Sequence, residues 1–200
     1  MKIAVLASGS GTILESIVAS GLQVSLVVVD RPCRAEEVAT AGGIDVVSLY
    51  RSDWGKSFDR KSYSEDLSRV LLGKGIELIA MAGFGTIVTE ELHRNFEARI
   101  LNTHPSLLPS FPGWHAVEAA IEFGVMVTGC TVHLATVEVD AGPILAQRAV
   151  EVFEDDTPAS LHERIKEVER SLYPETIKLY NDFLDRGSVG QARNYPNSNS

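Results

Sequence analysis

Short apolar runs alternate with segments of helical apolar spacing along most of this chain, and this alternation constrains its fold more than any other feature. Runs such as Lys2–Ala7 and Val24–Val29 lack strict polar alternation, which is typical of strands buried on both faces of a parallel sheet. Thr12–Ala19 instead carries its apolar residues on one helical face. The sequence therefore predicts a single-domain α/β fold with a Rossmann-like, doubly wound, mostly parallel sheet.

The predicted elements follow one another without internal repeats. Strands are expected at Lys2–Ala7, Val24–Val29, Asp45–Leu49, Glu77–Ala82, Arg99–Thr103, Thr128–Ala135 and Ile144–Val152. Helices are expected at Thr12–Ala19, Ala35–Ala41, Ser57–Leu72, Thr89–Arg94, His115–Phe123 and Leu161–Leu184, with Pro174 as a candidate break in the last. We expect one domain over residues 1–186 and a disordered tail over residues 187–200, which are rich in Gly, Asn and Ser.

Composition excludes several classes of function. A net charge of −9 argues against nucleic acid as the main partner, because binding a phosphate backbone normally requires a basic surface. No apolar stretch approaches the roughly 20 residues that span a bilayer, and the first apolar run is too short for a signal peptide. Cys33 and Cys130 are far apart and are expected to be reduced thiols. These features predict a cytoplasmic protein without a membrane partner.

A glycine-containing loop, Ser8-Gly9-Ser10-Gly11-Thr12, separates the first strand from the first helix. Such a loop leaves backbone N–H groups bare at a helix N-terminus, where the helix dipole favours a phosphate or carboxylate. A plain β-to-α turn is the alternative. A dinucleotide site is a weaker one, because Asp30 stands where a ribose-binding acid belongs but Leu14 occupies the third glycine position.

Three polar residues in the second half form a candidate catalytic group. Asn102 and His104 share a face at the end of a predicted strand, and such a pair suits a carbonyl oxygen that becomes negative. Taken alone, a polar pair at the end of an apolar strand is more often a satisfied loop anchor than a catalytic site. Asp140 lies in a turn before the last strand. A carboxylate near an imidazole orients the ring, and the two groups can share the proton transfers of an acyl transfer reaction.

His133 precedes that turn and is either a neighbour of this group or a core histidine. The histidines do not fall at metal-ligand spacings, and the chain has no paired cysteines, so no metal is expected.

At these residues the chain resembles the folate-dependent formyltransferases, and within them the branch that acts on glycinamide ribonucleotide. The resemblance covers roughly residues 1 to 180. It is carried by ordered motifs at Val5–Gly11, Met81–Phe84, Leu101–Pro109, Thr128–His133, Val139–Leu145 and Arg164–Pro174.

The resemblance implies a reaction and a catalytic trio. The amine of glycinamide ribonucleotide would attack the formyl carbon of 10-formyltetrahydrofolate, the co-substrate. Asn102 and His104 would steady the tetrahedral oxyanion, while Asp140 would orient His104 and help to relay the amine proton. A homodimer is one candidate assembly.

The resemblance also assigns binding residues. Lys166 would approach the substrate phosphate and Glu169 would hold the ribose hydroxyls, although the two could instead form an exposed helical ion pair. The phosphate cradle would be Gly9, Ser10, Gly11 and Thr12, with the backbone N–H of Ile13. Folate would contact the backbone of Gly85, Thr86, Ile87 and Val88 and the loop with Thr136, Val139 and Asp140. The pterin pocket, which could otherwise be core, would be lined by Met81, Ile87, Val88, Leu92 and Ile100.

Two positions depart from the family pattern. The loop that often reads Gly-Ser-Asn is Gly11-Thr12-Ile13, and the Met-Arg that often follows Phe84 is Gly85-Thr86. Neither change touches the trio. Alternatives within the family are a sugar-nucleotide formyltransferase and formyltetrahydrofolate hydrolase; outside it, a dinucleotide-binding oxidoreductase and a non-catalytic ligand-binding relative.

Overall fold

The computed structural model describes residues 1–186, so the predicted tail lies outside the described residues. These residues form seven strands and six helices. The strands are β1 Ile3–Ala7, β2 Val24–Val29, β3 Val46–Ser48, β4 Leu78–Ala82, β5 Ile100–His104, β6 Val127–Leu134 and β7 Ile144–Glu151. The helices are α1 Thr12–Ala19, α2 Arg34–Ala41, α3 Arg60–Gly73, α4 Glu90–Asn95, α5 Ala116–Phe123 and α6 Pro158–Asp185. Every predicted element is present, and most boundaries move by one or two residues.

The strands form one sheet in the order β3-β2-β1-β4-β5-β6-β7. β1 pairs in parallel with both β2 and β4, and β2 with β3, whereas β6 and β7 are antiparallel. The predicted α/β class and mostly parallel sheet are therefore confirmed. The direction of strand addition reverses between β1 and β4, and in open α/β sheets ligands bind outside the carboxyl ends of the strands at such a point.

The tertiary contacts divide the chain into two compact units, Met1–Leu101 and the chain from Asn102 onward. In the first unit β1 is buried along its whole length, and α1 buries Ile13, Leu14 and Ile17. Helix α3 begins three residues later than predicted because the Asp59 side chain caps it, accepting from the Ser62 N–H at 3.0 Å.

The second unit ends in α6, which starts three residues earlier than predicted. A capping box of Thr157 and Ser160, with Pro158 in the first turn, fixes that start. The candidate break at Pro174 is wrong, because α6 is continuous. Pro174 costs a backbone hydrogen bond, but it lies in a stretch where Tyr173 and Ile177 are fully buried, and their packing holds the helix together. None of the helices among residues 1–186 has the length and apolarity needed to cross a bilayer.

Candidate active site

The predicted phosphate loop lies between β1 and α1 in the first unit. Gly11 is the N-terminal residue that precedes α1, and no side chain caps this helix, so its first-turn N–H groups remain available to an anion. Gly9 and Ser10 are exposed, and the hydroxyls of Ser10 and Thr12 lie 3.3 Å apart. The structure therefore keeps these residues together as an open loop at a helix N-terminus.

Gly11 is required there for two reasons. Its φ of 73° lies in the left-handed region, and a Cβ would lie 3.0 Å from the Ala35 Cα atom, at the start of α2. The side chain of Ile13, by contrast, is buried in the core, so this position offers only its backbone N–H, as the sequence predicts.

Asp30 does not fit the dinucleotide interpretation. It is fully buried at the end of β2, and its Oδ2 accepts from the Thr86 hydroxyl at 2.7 Å. A carboxylate without exposed surface is not presented to a ribose. Thr86, predicted as a folate-contacting residue, is itself buried by this hydrogen bond, so only its backbone is left for a ligand.

The apolar residues predicted to line a pterin pocket also lie in the first unit. Ile87 is half-buried, and the others are buried, namely Met81, Val88, Leu92 and Ile100. Burial is consistent with a pocket wall and with core packing alike, so the pterin assignment stays a prediction. Gly85 is half-buried and donates its N–H to the Ser8 hydroxyl at 2.6 Å.

In the second unit the predicted trio comes together with His133. His104 Nδ1 lies 3.3 Å from Asp140 Oδ2, and the side chains of both residues are only 6% exposed. Asn102 Nδ2 lies 3.3 Å from His133 Nε2, which in turn lies 3.6 Å from Asp140 Oδ1. These four residues form one connected polar cluster, which we call the catalytic cluster.

His133 joins the cluster as a neutral imidazole. Its Nδ1 lies 3.0 Å from the Leu134 carbonyl oxygen and must donate, which leaves Nε2 to accept from Asn102. Burial lowers the pKa of His133, against the opposing effects of the Leu134 hydrogen bond and the Asp140 charge. Sequence reasoning left His133 open between neighbour and core residue. The structure makes it both, since it is buried and contacts Asn102 and Asp140.

The loop after β5 supplies two backbone groups that sequence reasoning missed. The Phe111 carbonyl oxygen lies 2.7 Å from His104 Nε2, and the Gly113 N–H donates to Asp140 Oδ2 at 2.8 Å. Each ring nitrogen of His104 therefore lies within hydrogen-bonding distance of an oxygen atom, one from the backbone of Phe111 and one from Asp140. Phe111 has a φ of 53°, a conformation that no pattern of residues around it indicates.

Asp140 is held by its backbone as well as by its side chain. Its φ of 57° is left-handed, a conformation that Asp and Asn tolerate better than most residues. Two residues later, a Cβ at Gly142 would overlap the Leu134 carbonyl oxygen. The predicted folate residues Thr136 and Val139 lie in the same loop and are exposed, and the Thr136 hydroxyl donates to the Glu138 carbonyl at 2.8 Å.

Glu169 and Lys166 on α6 do not pair with each other. Lys166 Nζ lies 2.7 Å from Glu163 Oε1, whereas Glu169 accepts a hydrogen bond from the Thr103 hydroxyl. The alternative of a Lys166–Glu169 helical ion pair is therefore wrong. Burial raises the pKa of the Glu169 carboxyl group, against the hydrogen bond from Thr103.

Residues 1–186 contain no group of three or more His, Cys, Asp or Glu side chains placed to hold an ion.

Comparison with known proteins identifies the family. Residues 1–177 match the family described as Formyl transferase. Phosphoribosylglycinamide formyltransferase of Mycobacterium tuberculosis is 40% identical over 176 residues, which cover 86% of this chain and 80% of that protein. The protein of the same name from Bacillus subtilis is 36% identical, covering 93% of this chain and 97% of its own length.

Solved structures agree. The crystal structure of glycinamide ribonucleotide transformylase 1 from Symbiobacterium toebii has a TM-score of 0.85 and 38% identity, covering 91% of this chain and 88% of that one. None of these comparisons supports the alternatives of a sugar-nucleotide enzyme, a hydrolase or an oxidoreductase. The resemblance predicted from the sequence is confirmed, and the chain, an enzyme by this kinship, belongs to the formyl transferase family.

Proposed function

We propose that this enzyme transfers the formyl group of 10-formyltetrahydrofolate to the amine of glycinamide ribonucleotide, in the purine biosynthesis of the cytoplasm, with residues 1–186 as its catalytic domain. The observation that carries the proposal is the buried catalytic cluster, because it combines an amide donor, an imidazole and a carboxylate on one connected network. The relatives named above bear the name of this reaction.

The chemistry assigns a role to each cluster residue. The substrate amine attacks the formyl carbon, the carbon–N10 bond of the folate breaks, the amine loses one proton and N10 gains one. Among residues 1–186 only His133 accepts a hydrogen bond from the side-chain NH₂ group of Asn102. The second N–H of that NH₂ group is therefore left for the oxyanion. His104 adds a hydrogen-bonding imidazole, and Asp140 orients it and relays the proton. No covalent intermediate on the enzyme is required.

The ribonucleotide takes the groups that the loop and α6 provide. Its phosphate would accept from the first-turn N–H groups of α1, at Gly11, Thr12 and Ile13. Glu169 would accept from the ribose hydroxyls, since a carboxylate can accept from several donors at once. Lys166 would exchange Glu163 for the phosphate, which costs little because an exposed ion pair contributes about 0–1 kcal/mol.

The folate takes the remaining predicted contacts. Its pterin would hydrogen-bond with backbone groups at Gly85–Val88 and with the loop from Thr136 to Asp140. Backbone recognition fits Thr86, whose side chain is occupied by Asp30. Whether the enzyme works as a monomer or a homodimer does not alter these roles.

The test is an absorbance assay of folate deformylation, run with and without glycinamide ribonucleotide. We expect turnover only when the ribonucleotide is present. Turnover without it would identify a hydrolase and overturn the proposal, as would turnover with a sugar nucleotide in its place.

A pair of histidine variants ties the reaction to the cluster. His104→Ala should lower turnover by about 10²-fold or more, since general acid–base groups contribute on that scale. His115→Ala is the matched control, because the His115 side chain is 85% exposed and lies outside the cluster. Equal turnover in the two variants would exclude the mechanism.

A further inference from the structure

Arg34 occupies a helix position that does not favour a positive charge. It is the first residue of α2, and the dipole of a helix stabilises acids rather than bases at that end. Its guanidinium group nevertheless makes two close contacts. Nη1 donates to the Ser10 carbonyl oxygen at 2.6 Å, and Nη2 lies 2.5 Å from Glu15 Oε1. Arg34 therefore ties the start of α2 to the loop and the helix that we assign to the substrate phosphate.

The hydrogen bond to Ser10 sets the direction of a peptide group. A trans peptide is planar, and its carbonyl and N–H groups point in opposite directions. Because the Ser10 carbonyl points toward Arg34, the Gly11 N–H of the same peptide points away from α2. The Ala35 N–H holds the Gly9 carbonyl at 3.2 Å and so turns the Ser10 N–H away from α2 as well. Within residues 1–186 neither of these two N–H groups donates a hydrogen bond, and successive free N–H groups bind anions.

The contact with Glu15 neutralises a charge that opposes phosphate binding. Glu15 lies in the first turn of α1, the helix whose N-terminus would face the phosphate, and its side chain is 44% exposed. A phosphate monoester carries about −1.5 to −2 charges at neutral pH, so an unpaired carboxylate at the same helix end would repel it. With Arg34 beside Glu15, the N–H groups and the dipole of α1 act on the phosphate without that repulsion.

We propose that Arg34 is a positioning residue for phosphate recognition, which keeps the loop N–H groups directed at the phosphate and cancels the charge of Glu15. The inference rests on the proposed function, in which the phosphate of the ribonucleotide lies at this loop. Neither effect requires Arg34 to touch the phosphate. The phosphate does not change during formyl transfer, so its contacts stabilise the bound substrate and the transition state equally. Arg34 therefore acts on the KM for the ribonucleotide and not on the turnover number.

The first test measures initial rates of Arg34→Gln with the ribonucleotide concentration varied. We expect the KM for the ribonucleotide to rise about tenfold, the loss of one charge-assisted hydrogen bond, with the turnover number and the KM for the folate unchanged. Competitive inhibition by inorganic phosphate should weaken by the same factor, because this ion probes the loop without a ribose or an amine. Arg94→Gln, an exposed arginine of the same unit that pairs with Glu91, is the control and should alter none of these values.

Glu15→Gln distinguishes this role from a structural one. It removes the repelling charge, so by itself it should not raise the KM for the ribonucleotide. Added to Arg34→Gln, it should recover about threefold of the lost affinity, the effect of one charge at a helix N-terminus. A purely structural ion pair predicts the opposite, because either substitution breaks the pair and both would raise the KM alike. Thermal unfolding of each variant checks that the fold is intact.

Three outcomes would overturn the proposal: an unchanged ribonucleotide KM in Arg34→Gln, an equal rise in Arg94→Gln, or a rise in Glu15→Gln as large as that in Arg34→Gln. Calorimetric titration with glycinamide ribonucleotide separates the proposal from the proposed function. Binding that weakens about tenfold in Arg34→Gln supports the role of Arg34 even if wild type shows no turnover, which would refute the function alone. Equal affinity in wild type and Arg34→Gln would refute the role of Arg34 while formyl transfer stands, and no binding by wild type would refute both.

Discussion

Replacing Asp140 by Asn tests the catalytic cluster with little disturbance of the fold. Asn tolerates the left-handed φ of 57° as well as Asp does. In the wild type Asp140 Oδ2 accepts from the Gly113 N–H at 2.8 Å. The amide oxygen of Asn can take the position of Oδ2 and accept the same hydrogen bond. Its NH₂ group then takes the position of Oδ1, 3.6 Å from His133 Nε2, the nitrogen that accepts from Asn102. The variant therefore removes the charge and the proton acceptor while keeping the hydrogen bond from Gly113.

The expected magnitudes differ sharply between activity and stability. Loss of a general acid–base group predicts roughly 10²–10⁴-fold lower turnover, or about 3–5 kcal/mol of transition-state free energy. The free energy of unfolding should change by less than about 1.5 kcal/mol, the net contribution of one hydrogen bond. Steady-state deformylation and urea unfolding measure the two quantities on the same preparation. Near-normal turnover would refute the catalytic role of Asp140. A loss of turnover accompanied by a large fall in the free energy of unfolding would refute the expectation that Asn preserves the fold.

Three further predictions follow from other parts of the structure. Glu169→Gln should raise the KM for the ribonucleotide about tenfold and leave the KM for the folate unchanged, because the Gln side chain can still accept from Thr103 but carries no charge. Initial-rate kinetics with each substrate varied in turn measure the two KM values, and a rise in both would contradict the prediction. Gly11→Ala should lower the free energy of unfolding by about 1–2 kcal/mol, the cost of a left-handed non-glycine residue, whereas Gly9→Ala, which points into open space, should not; urea unfolding compares them. Burial lowers the pKa of His133, so its contribution to stability is present above its ordinary pKa of about 6.5 and is lost as pH falls through the lower folded value. His133→Gln should therefore flatten the fall in the free energy of unfolding below pH 6.5. A variant with the same pH profile as wild type would exclude His133 as the cause of that fall.

The sequence predicts the fold well because the fold depends on periodicity. Buried strands and amphipathic helices are recorded directly in the apolar pattern, so all thirteen elements of residues 1–186 were expected. The boundary errors have a common cause. Asp59 and Thr157 end their loops through side-chain hydrogen bonds to the first helical turn, and several polar residues near each start could have served as the cap.

The candidate site was predictable where it depended on strand register. Asn102 and His104 are two apart on β5, and this spacing alone placed them on one face. The partner of Lys166 was not predictable, since a lysine on a helix can reach an acid three residues before or after it.

The position of Asp140 depends on the backbone more than on the neighbouring side chains. Its left-handed conformation, the Gly113 N–H and the close approach of Gly142 to Leu134 all constrain main-chain atoms. Val137 and Val139, in the same loop, are exposed and contribute nothing to that constraint. The loop thus separates two tasks: main-chain contacts fix the catalytic carboxylate against His104, while the exposed side chains beside it remain available to the donor.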